Sequence, residues 1–418
     1  MADGWVRQAE KLRAELRSAF PDIDSNEATF DVTEKDPETW SDIIRLRRSA
    51  LRPALFDYQT ELAEAVVALT TEEALVALPT GAGKTRTAVA ATLGGIARRR
   101  FRRVAWLAPS VELVDQALDT FESLWLYQGD VDELVLSRID TSDIDAPLVL
   151  VTTPQAIYAR RRENRESQWD LIVFDEAHQL GARTFREAVQ ILRESGSELQ
   201  RRDVPLVGLS ATPGRVDPRE TEDLVSLFGG NLLRSRYLDP NPVKVLQRRG
   251  VLARLRFSLM TKSSIPLENE ADRIRIAARA TADFVSRGRR PLAFTATVPG
   301  AVVLAEALRS VGVRAGAAHS GLSRIERKEM IASFAKGDLD VLTNQRLLVT
   351  GYDCPAVSDV LILGRIGSAV MFEQIVGRAA RGPLTGGSRT ATIWDFDDHL
   401  SIHGLPQSYY RYRDYDWS

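Results

Sequence analysis

Two strand-and-loop pieces constrain this chain more than any other feature of it. The first runs Ala77-Leu-Pro-Thr-Gly-Ala-Gly-Lys84-Thr85 and the second Val173-Phe-Asp175-Glu176-Ala-His178, each an apolar segment entering a loop of small or charged residues. Such segments read as buried parallel strands, which deliver the loops that follow them to the C-terminal edge of an open α/β sheet, where ligands bind. In the first loop Thr80, Gly81, Ala82 and Gly83 let backbone N–H groups curl around phosphate oxygens. Lys84 brings a point charge to the β- and γ-phosphates, and Thr85 can ligate Mg²⁺ at the start of the next helix. In the second, Asp175 can hold Mg²⁺ through water while Glu176 polarises the attacking water. The expectation is hydrolysis of ATP with Mg²⁺. The full pattern G-x-x-x-x-G-K-[ST] fails at its first position, where Leu78 stands, so only the inner T-G-x-G-K-T is kept.

The surrounding pattern agrees with that placement. Short apolar strands are expected at 74–78, 104–108, 148–152, 171–175 and 206–210, alternating with helical segments of ten or more residues, the signature of βαβ units around a parallel sheet. A break at Asp239-Pro-Asn-Pro242 and a polar stretch over 261–272 mark a crossover. A second alternation follows, with strands expected at 291–295, 314–318, 341–343, 360–363 and 390–395. The predicted class is α/β, with two successive lobes, each a parallel sheet flanked by helices. The expected boundaries are a helical N-terminal extension at 1–50, a first lobe at 51–238, a linker at 239–271, a second lobe at 272–400 and an aromatic and basic tail at 401–418. Within the extension two amphipathic helices are predicted, at 6–20 and 40–51, joined by an acidic connector.

Composition excludes more than it selects. A hydrophobic fraction of 44% over 418 residues fills ordinary cores in two or three domains, and a net charge of −2 gives no global pull towards nucleic acid. Phosphate binding must therefore come from local groups. The single cysteine, Cys354, excludes an intramolecular disulfide and any multi-cysteine zinc site and suits a reducing compartment. No apolar run is long enough to span a bilayer and the first residues lack signal-peptide character, so no membrane partner and a cytoplasmic location are expected.

Further pieces follow the phosphate loop in a telling order: Leu51-Arg-Pro with Tyr58-Gln59, Leu107-Ala-Pro-Ser110, Val151-Thr-Thr-Pro-Gln155, Leu209-Ser-Ala-Thr-Pro213, Phe294-Thr295, Ala318-His-Ser-Gly321, Thr350-Gly-Tyr-Asp353 and Gln374-Ile-Val-Gly-Arg-Ala-Ala-Arg381. In that order, and with the Asp-Glu-Ala-His stretch between them, they resemble the superfamily 2 DEAH-box helicases and translocases, nearest to the XPB, RadD and restriction-translocase branch. The resemblance implies two tandem RecA-like P-loop NTPase lobes. It implies that the first lobe grips Mg·ATP, with Gln59 and the aromatic Phe56 near the adenine, and that the second supplies Arg378 and Arg381, flanked by Gln374, to charge building on the γ-phosphoryl oxygens. Three residues apart on a helix, those two arginines would share one face. It further implies that Gly351 and Asp353 approach the nucleotide, and that His178, Ser210 and Thr212 relay its state to lobe closure. Nucleic acid is expected to meet Pro109, Ser110, Thr152, Thr153, Thr295, Thr297 and Thr343 through its phosphates. The arginine runs at 98–103 and 160–162 are candidate extensions of that track, and the tail at 409–417 either packs or stacks on bases.

The stretch Thr343-Asn-Gln-Arg-Leu-Leu-Val-Thr350 is longer than its counterpart in many RNA-acting members, which favours DNA over RNA. No nuclease core is recognisable, so a protein partner that supplies loading, strand separation or nuclease function is expected. The resulting expectation is a nucleic-acid-dependent ATPase, a DNA helicase or double-strand DNA translocase inside a larger repair or phage-defence complex. Two alternatives stay open: an RNA helicase or remodeller, and a non-processive ATP-gated clamp or regulatory subunit.

Overall fold

The computed structural model describes residues 2–23, 43–47, 55–70, 72–125, 133–140, 144–161, 168–181, 183–195, 204–213, 218–261, 269–349, 354 and 356–404. The chain divides into two compact units, a first lobe within 39–246 and a second lobe built from 247–406 together with 1–38.

The first lobe holds strands β1 (Ile43–Arg47), β2 (Ala74–Ala77), β3 (Arg103–Leu107), β4 (Glu133–Ser137), β5 (Leu148–Thr152), β6 (Leu171–Phe174), β7 (Leu206–Ser210) and β8 (Leu232–Leu233), in the order β1-β4-β5-β3-β6-β7-β2-β8. All pairings are parallel except β1 with β4. Strands β2, β5, β6 and β7 are buried along their whole length. Runs of Val, Leu and Ile with no polar alternation can only sit in a sheet covered on both faces, and helices such as Lys84–Ala97 and Val111–Trp125 provide the cover. Because β7 separates β2 from β6, the phosphate loop and the Asp175 loop emerge two strands apart, roughly 10 Å at the usual strand spacing, with Ser210 at the end of the strand between them.

The second lobe holds β9 (Arg254–Leu259), β10 (Pro291–Phe294), β11 (Ala315–Ala318), β12 (Val341–Asn344), β13 (Asp359–Ile362) and β14 (Thr390–Asp395), all parallel, in the order β11-β12-β10-β13-β14-β9. Its core lies on both faces of the sheet, one side around Ile274, Val303 and Leu308 and the other around Phe334, Phe372 and Val376.

Three features differ from expectation. Residues 43–47, predicted inside a helix, form β1: Ile44 and Leu46 alternate with Arg45 and Arg47, a period of two, and the strand pairs antiparallel with β4. Strand β9, predicted in the linker, is the edge of the second sheet and pairs with β14 along its whole length. The N-terminal helix (Ala2–Leu16) is present but is not a separate appendix. Leu12, Leu16, Phe20 and Ile23 join the core of the second lobe beside Ile274 and Val302, and Arg13 makes a buried two-pronged ion pair with Glu306 at 2.8 and 2.9 Å.

Candidate active site

The phosphate loop is built by backbone geometry. Gly81 and Gly83 adopt φ of +87° and +84°, in the left-handed region that only glycine enters without strain. A Cβ at Gly83 would also lie 2.5 Å from Gln59 Nε2, so the position excludes side chains twice over. Tyr58 Oη and Gln59 Nε2 both donate to the Ala82 carbonyl, at 2.9 and 3.2 Å, and hold the loop from outside. Gln59 is buried, and its Oε1 accepts from the Phe56 N–H at 3.1 Å, completing the cap of helix Asp57–Ala68. Phe56 stacks on Tyr58 with ring centroids 5.6 Å apart. The role of Tyr58 was not foreseen in the sequence; an aromatic beside Gln59 on a buried helix face is the signal that could have found it.

Thr85 Oγ1 donates to Asp175 Oδ2 at 3.3 Å. Asp175 ends β6, its N–H held by the Leu107 carbonyl at 2.8 Å, and its Oδ1 accepts from the Glu176 N–H at 2.9 Å. Burial, with the adjacent Glu176 carboxylate second, pushes the Asp175 carboxyl up to about 7, against the pull of Lys84. Glu176 has φ of +51°, a conformation that costs a non-glycine residue on the order of 1–3 kcal/mol and is held by the surrounding structure. Its Oε2 is buried, lacks a hydrogen bond and lies 3.3 Å from His178 Nδ1. The residues fit Mg²⁺: a hydroxyl and a fully enclosed carboxylate are hard oxygen donors, and the raised carboxyl marks a place where a cation relieves the crowding of negative charge. Among the described residues no group of three or more His, Cys, Asp or Glu could hold a metal by itself, so a cation here would take its remaining ligands from water or bound phosphate. Ser210 Oγ donates to the Thr212 carbonyl at 2.7 Å and accepts from the Thr212 N–H at 3.1 Å, closing a tight turn at the end of β7.

In the second lobe, Gln374 is buried within helix Ala369–Gly377. The helix stops at Gly377, which corrects the expectation of two arginines on one helical face. Arg378 caps the helix and its Nε donates to the Gln374 carbonyl at 3.3 Å, while Arg381 lies in a β-bridge with Leu252. The bridge forces the change, because Ala253 N–H donates to the Ala380 carbonyl at 2.8 Å and Gly382 N–H to the Val251 carbonyl at 2.9 Å, and these extended pairings are incompatible with another helical turn. The start of the helix is anchored by residues that sequence reasoning passed over. His399 Nε2 accepts from the Ile366 N–H at 2.8 Å, so its proton sits on Nδ1 and is donated to Asp395 Oδ1 at 2.8 Å. Gly351 and Asp353 lie outside the described residues, as do the tail at 409–417 and Arg162.

The hydroxyl residues expected to meet nucleic acid divide sharply. Pro109 and Ser110 are half-buried at the start of helix Val111–Trp125, with Ser110 Oγ accepting from the Leu113 N–H at 3.4 Å. Thr153 caps the short helix after β5, accepting from the Ala156 N–H at 3.2 Å, and Thr152 is buried beside it. Thr297 caps Val298–Ser310 and also donates to the Glu270 carboxylate at 3.0 Å. Thr295 is buried, its hydroxyl on the Thr297 carbonyl at 2.8 Å. Thr343 is fully enclosed, its hydroxyl on the Ala301 carbonyl at 2.7 Å, so its position is scaffolding and the contact expected of it is withdrawn. Four of the arginines in the run at 98–103 have partners within the fold: Arg98 pairs with Glu64, Arg100 donates to the Leu69 carbonyl, Arg102 pairs with Asp145, and Arg103 pairs with Asp140 and stacks on Trp169.

Comparison with known proteins settles the family. Residues 52–215 match the model of the type III restriction enzyme res subunit, and residues 275–383 match the helicase conserved C-terminal domain. The chain belongs to the superfamily 2 helicases. Within that superfamily it resembles the restriction-translocase branch. It is 24% identical over 90% of its length to the endonuclease subunit of the type I restriction enzyme EcoKI of Escherichia coli K12, of which it spans 37%. In fold, this helicase-family chain is similar to Dbp5 of S. cerevisiae bound to RNA and ADP BeF3 (TM-score 0.60, 20% identity, 85% of this chain and 90% of that one). It is also similar to the ATP-dependent type ISP restriction-modification enzyme LlaBIII bound to DNA (TM-score 0.57, 18% identity, 82% of this chain and 28% of that one). The two lobes therefore have the tandem RecA-like helicase fold, and the family implies ATP use. Among the described residues no helix is long and apolar enough to cross a membrane.

Proposed function

We propose that the chain is the ATP-driven motor of a DNA helicase or double-strand DNA translocase that works in a larger repair or phage-defence assembly. The observation that carries this reading is the Thr85–Asp175 contact at 3.3 Å, with Glu176 forced into a left-handed turn beside it. A plain structural acid pair has no reason to be dry, crowded and strained at the mouth of a phosphate loop. Lys84 and the loop N–H groups bind the triphosphate tail of ATP, and Thr85 with Asp175 would hold Mg²⁺. Bound there, Mg²⁺ would supply positive charge to offset that of the triphosphate. Glu176 orients the attacking water and takes its proton, and His178, 3.3 Å from that carboxylate, senses its charge state. Ser210 and Thr212 pass that state to the rest of the lobe. Gln59 and Phe56 receive the adenine, and Arg378 and Arg381 carry the positive charge offered to the γ-phosphoryl oxygens in the transition state. DNA is favoured over RNA by the similarity to a restriction subunit across 90% of this chain. The phosphate-binding strand ends are Pro109, Ser110, Thr152, Thr153, Thr295 and Thr297. A protein partner supplies loading, strand separation or cleavage.

The decisive experiment measures ATP hydrolysis with single-stranded DNA, duplex DNA or RNA as separate activators, for the parent and Arg381→Ala. The parent is expected to respond most to DNA. The variant keeps ATP affinity within about threefold yet loses the stimulation, because the arginine acts on the transition state. Stimulation by RNA alone overturns the DNA assignment, and a variant stimulated as strongly as the parent removes Arg381 from the active site.

A further inference from the structure

Arg86 stands two residues beyond Lys84 on the first turn of helix Lys84–Ala97, and the chemistry above makes no use of it. Its side chain is half-buried, and among the described residues it forms no hydrogen bond or ion pair. Other arginines of the first lobe have carboxylate partners. Arg98 has Glu64, Arg103 has Asp140 and Arg193 has Glu73. Removing a guanidinium from water without an anion to meet it is unfavourable.

Its surroundings indicate what the missing partner is. The Cβ of Arg86 lies 3.7 Å from where a Cβ at Gly83 would be, and the same point is 2.5 Å from Gln59 Nε2. Tyr58 is its electrostatic neighbour, and Tyr58 carries the stacked ring of Phe56. Arg86, Gln59 and Phe56 thus converge around Tyr58, on the side of the phosphate loop that Tyr58 and Gln59 hold through the Ala82 carbonyl. Phosphate oxygens are already served by Lys84 and the loop N–H groups. A planar guanidinium stacks on aromatic faces as readily as it forks towards anions, and a purine base presents such a face.

We infer that Arg86 is a nucleobase-binding residue, its guanidinium lying against the adenine of bound ATP beside Phe56 and Gln59. The inference rests on the ATP-driven reading of the site and adds to it a determinant of base affinity.

The test uses the full chain with Arg86→Ala, and Arg86→Gln, which keeps the stem, where the alanine variant does not fold. Steady-state hydrolysis of ATP is measured with inorganic tripolyphosphate as a competitor. The expected result is a KM for ATP raised about tenfold, the range of a desolvated cation–π contact, with kcat at saturation within about twofold. Inhibition by tripolyphosphate, which has no base, should be unchanged. Equal weakening of ATP and tripolyphosphate assigns Arg86 to phosphate and overturns the proposal, as does an unchanged KM. A parent protein that neither binds nor hydrolyses ATP overturns the motor reading itself, whereas normal parental turnover with an indifferent Arg86 variant overturns only this inference.

Discussion

The two lobes share an architecture and use their strand ends in opposite ways. In the first, the loops after β2 and β6 leave polar groups poised: Asp175 is raised to about 7, Glu176 is strained at φ +51°, and its Oε2 has no hydrogen bond. In the second, described groups near the strand ends bond to one another. Thr297 and Glu270 bond to each other, and Arg273 clamps Asp397 at 2.6 and 2.7 Å while donating to the Leu363 carbonyl at 2.7 Å. Asn344 both donates to the Ala293 carbonyl and accepts from the Leu348 N–H. The contrast teaches that a parallel sheet supplies a platform, and that chemistry resides where the platform's polar groups are denied partners within the protein.

The largest effects should break the first lobe's side of the comparison. Lys84→Ala removes ATP binding and turnover, because the phosphate charge loses the loop's only lysine. Glu176→Gln keeps the loop and Mg²⁺ ligands, so a fluorescent-nucleotide titration should find binding intact while steady-state turnover falls by about 10²-fold or more, the loss of a general base. Binding that falls in step with turnover would make Glu176 structural.

Next in size is the second lobe's dependence on the N-terminus. Arg13→Ala leaves Glu306 as an unpaired buried carboxylate and should cost about 3–5 kcal/mol in urea unfolding of that lobe. A loss under about 1 kcal/mol would show that the N-terminal helix only rests on the surface. As the contrasting control, Arg98→Ala breaks a pair whose side chains are 52% and 55% exposed and should change stability by less than about 1 kcal/mol.

The smaller internal test is pH. Burial holds His319 down at about 4, with Glu326 and Arg327 opposing each other as minor influences. Folded His319 is thus neutral while the unfolded residue takes a proton as pH falls through its ordinary 6.5. Its contribution to stability is complete above that value and is lost between about 6.5 and 4, amounting to about 2 kcal/mol between pH 7.5 and 5. Unfolding at both pH values, parent against His319→Gln, checks it: the variant should show a flatter pH dependence, and an unchanged slope would place the titration elsewhere.

Much of the candidate site was legible because its chemistry is local in sequence. A phosphate loop needs glycines at fixed offsets before Lys84 and Thr85, and Asp175 and Glu176 need a buried strand ahead of them. Arg86 was not legible, since an arginine after Lys-Thr reads as surface charge until its surroundings are seen to lack an anion. The arginine run at 98–103 was misleading for the converse reason: composition records charge but not the Glu64, Asp140 and Asp145 that neutralise it from distant parts of the chain.

By itself the sequence determined that two parallel sheets form and that the first carries a nucleotide loop, because hydrophobic periodicity and glycine placement are decided within a few residues of each strand. Only the tertiary structure decided that the N-terminal helix builds the second lobe, that Arg254–Leu259 closes the second sheet's edge, and that Thr343 faces inward. Those outcomes turn on contacts between residues far apart in the chain, such as Arg13 with Glu306, and no local pattern encodes the partner.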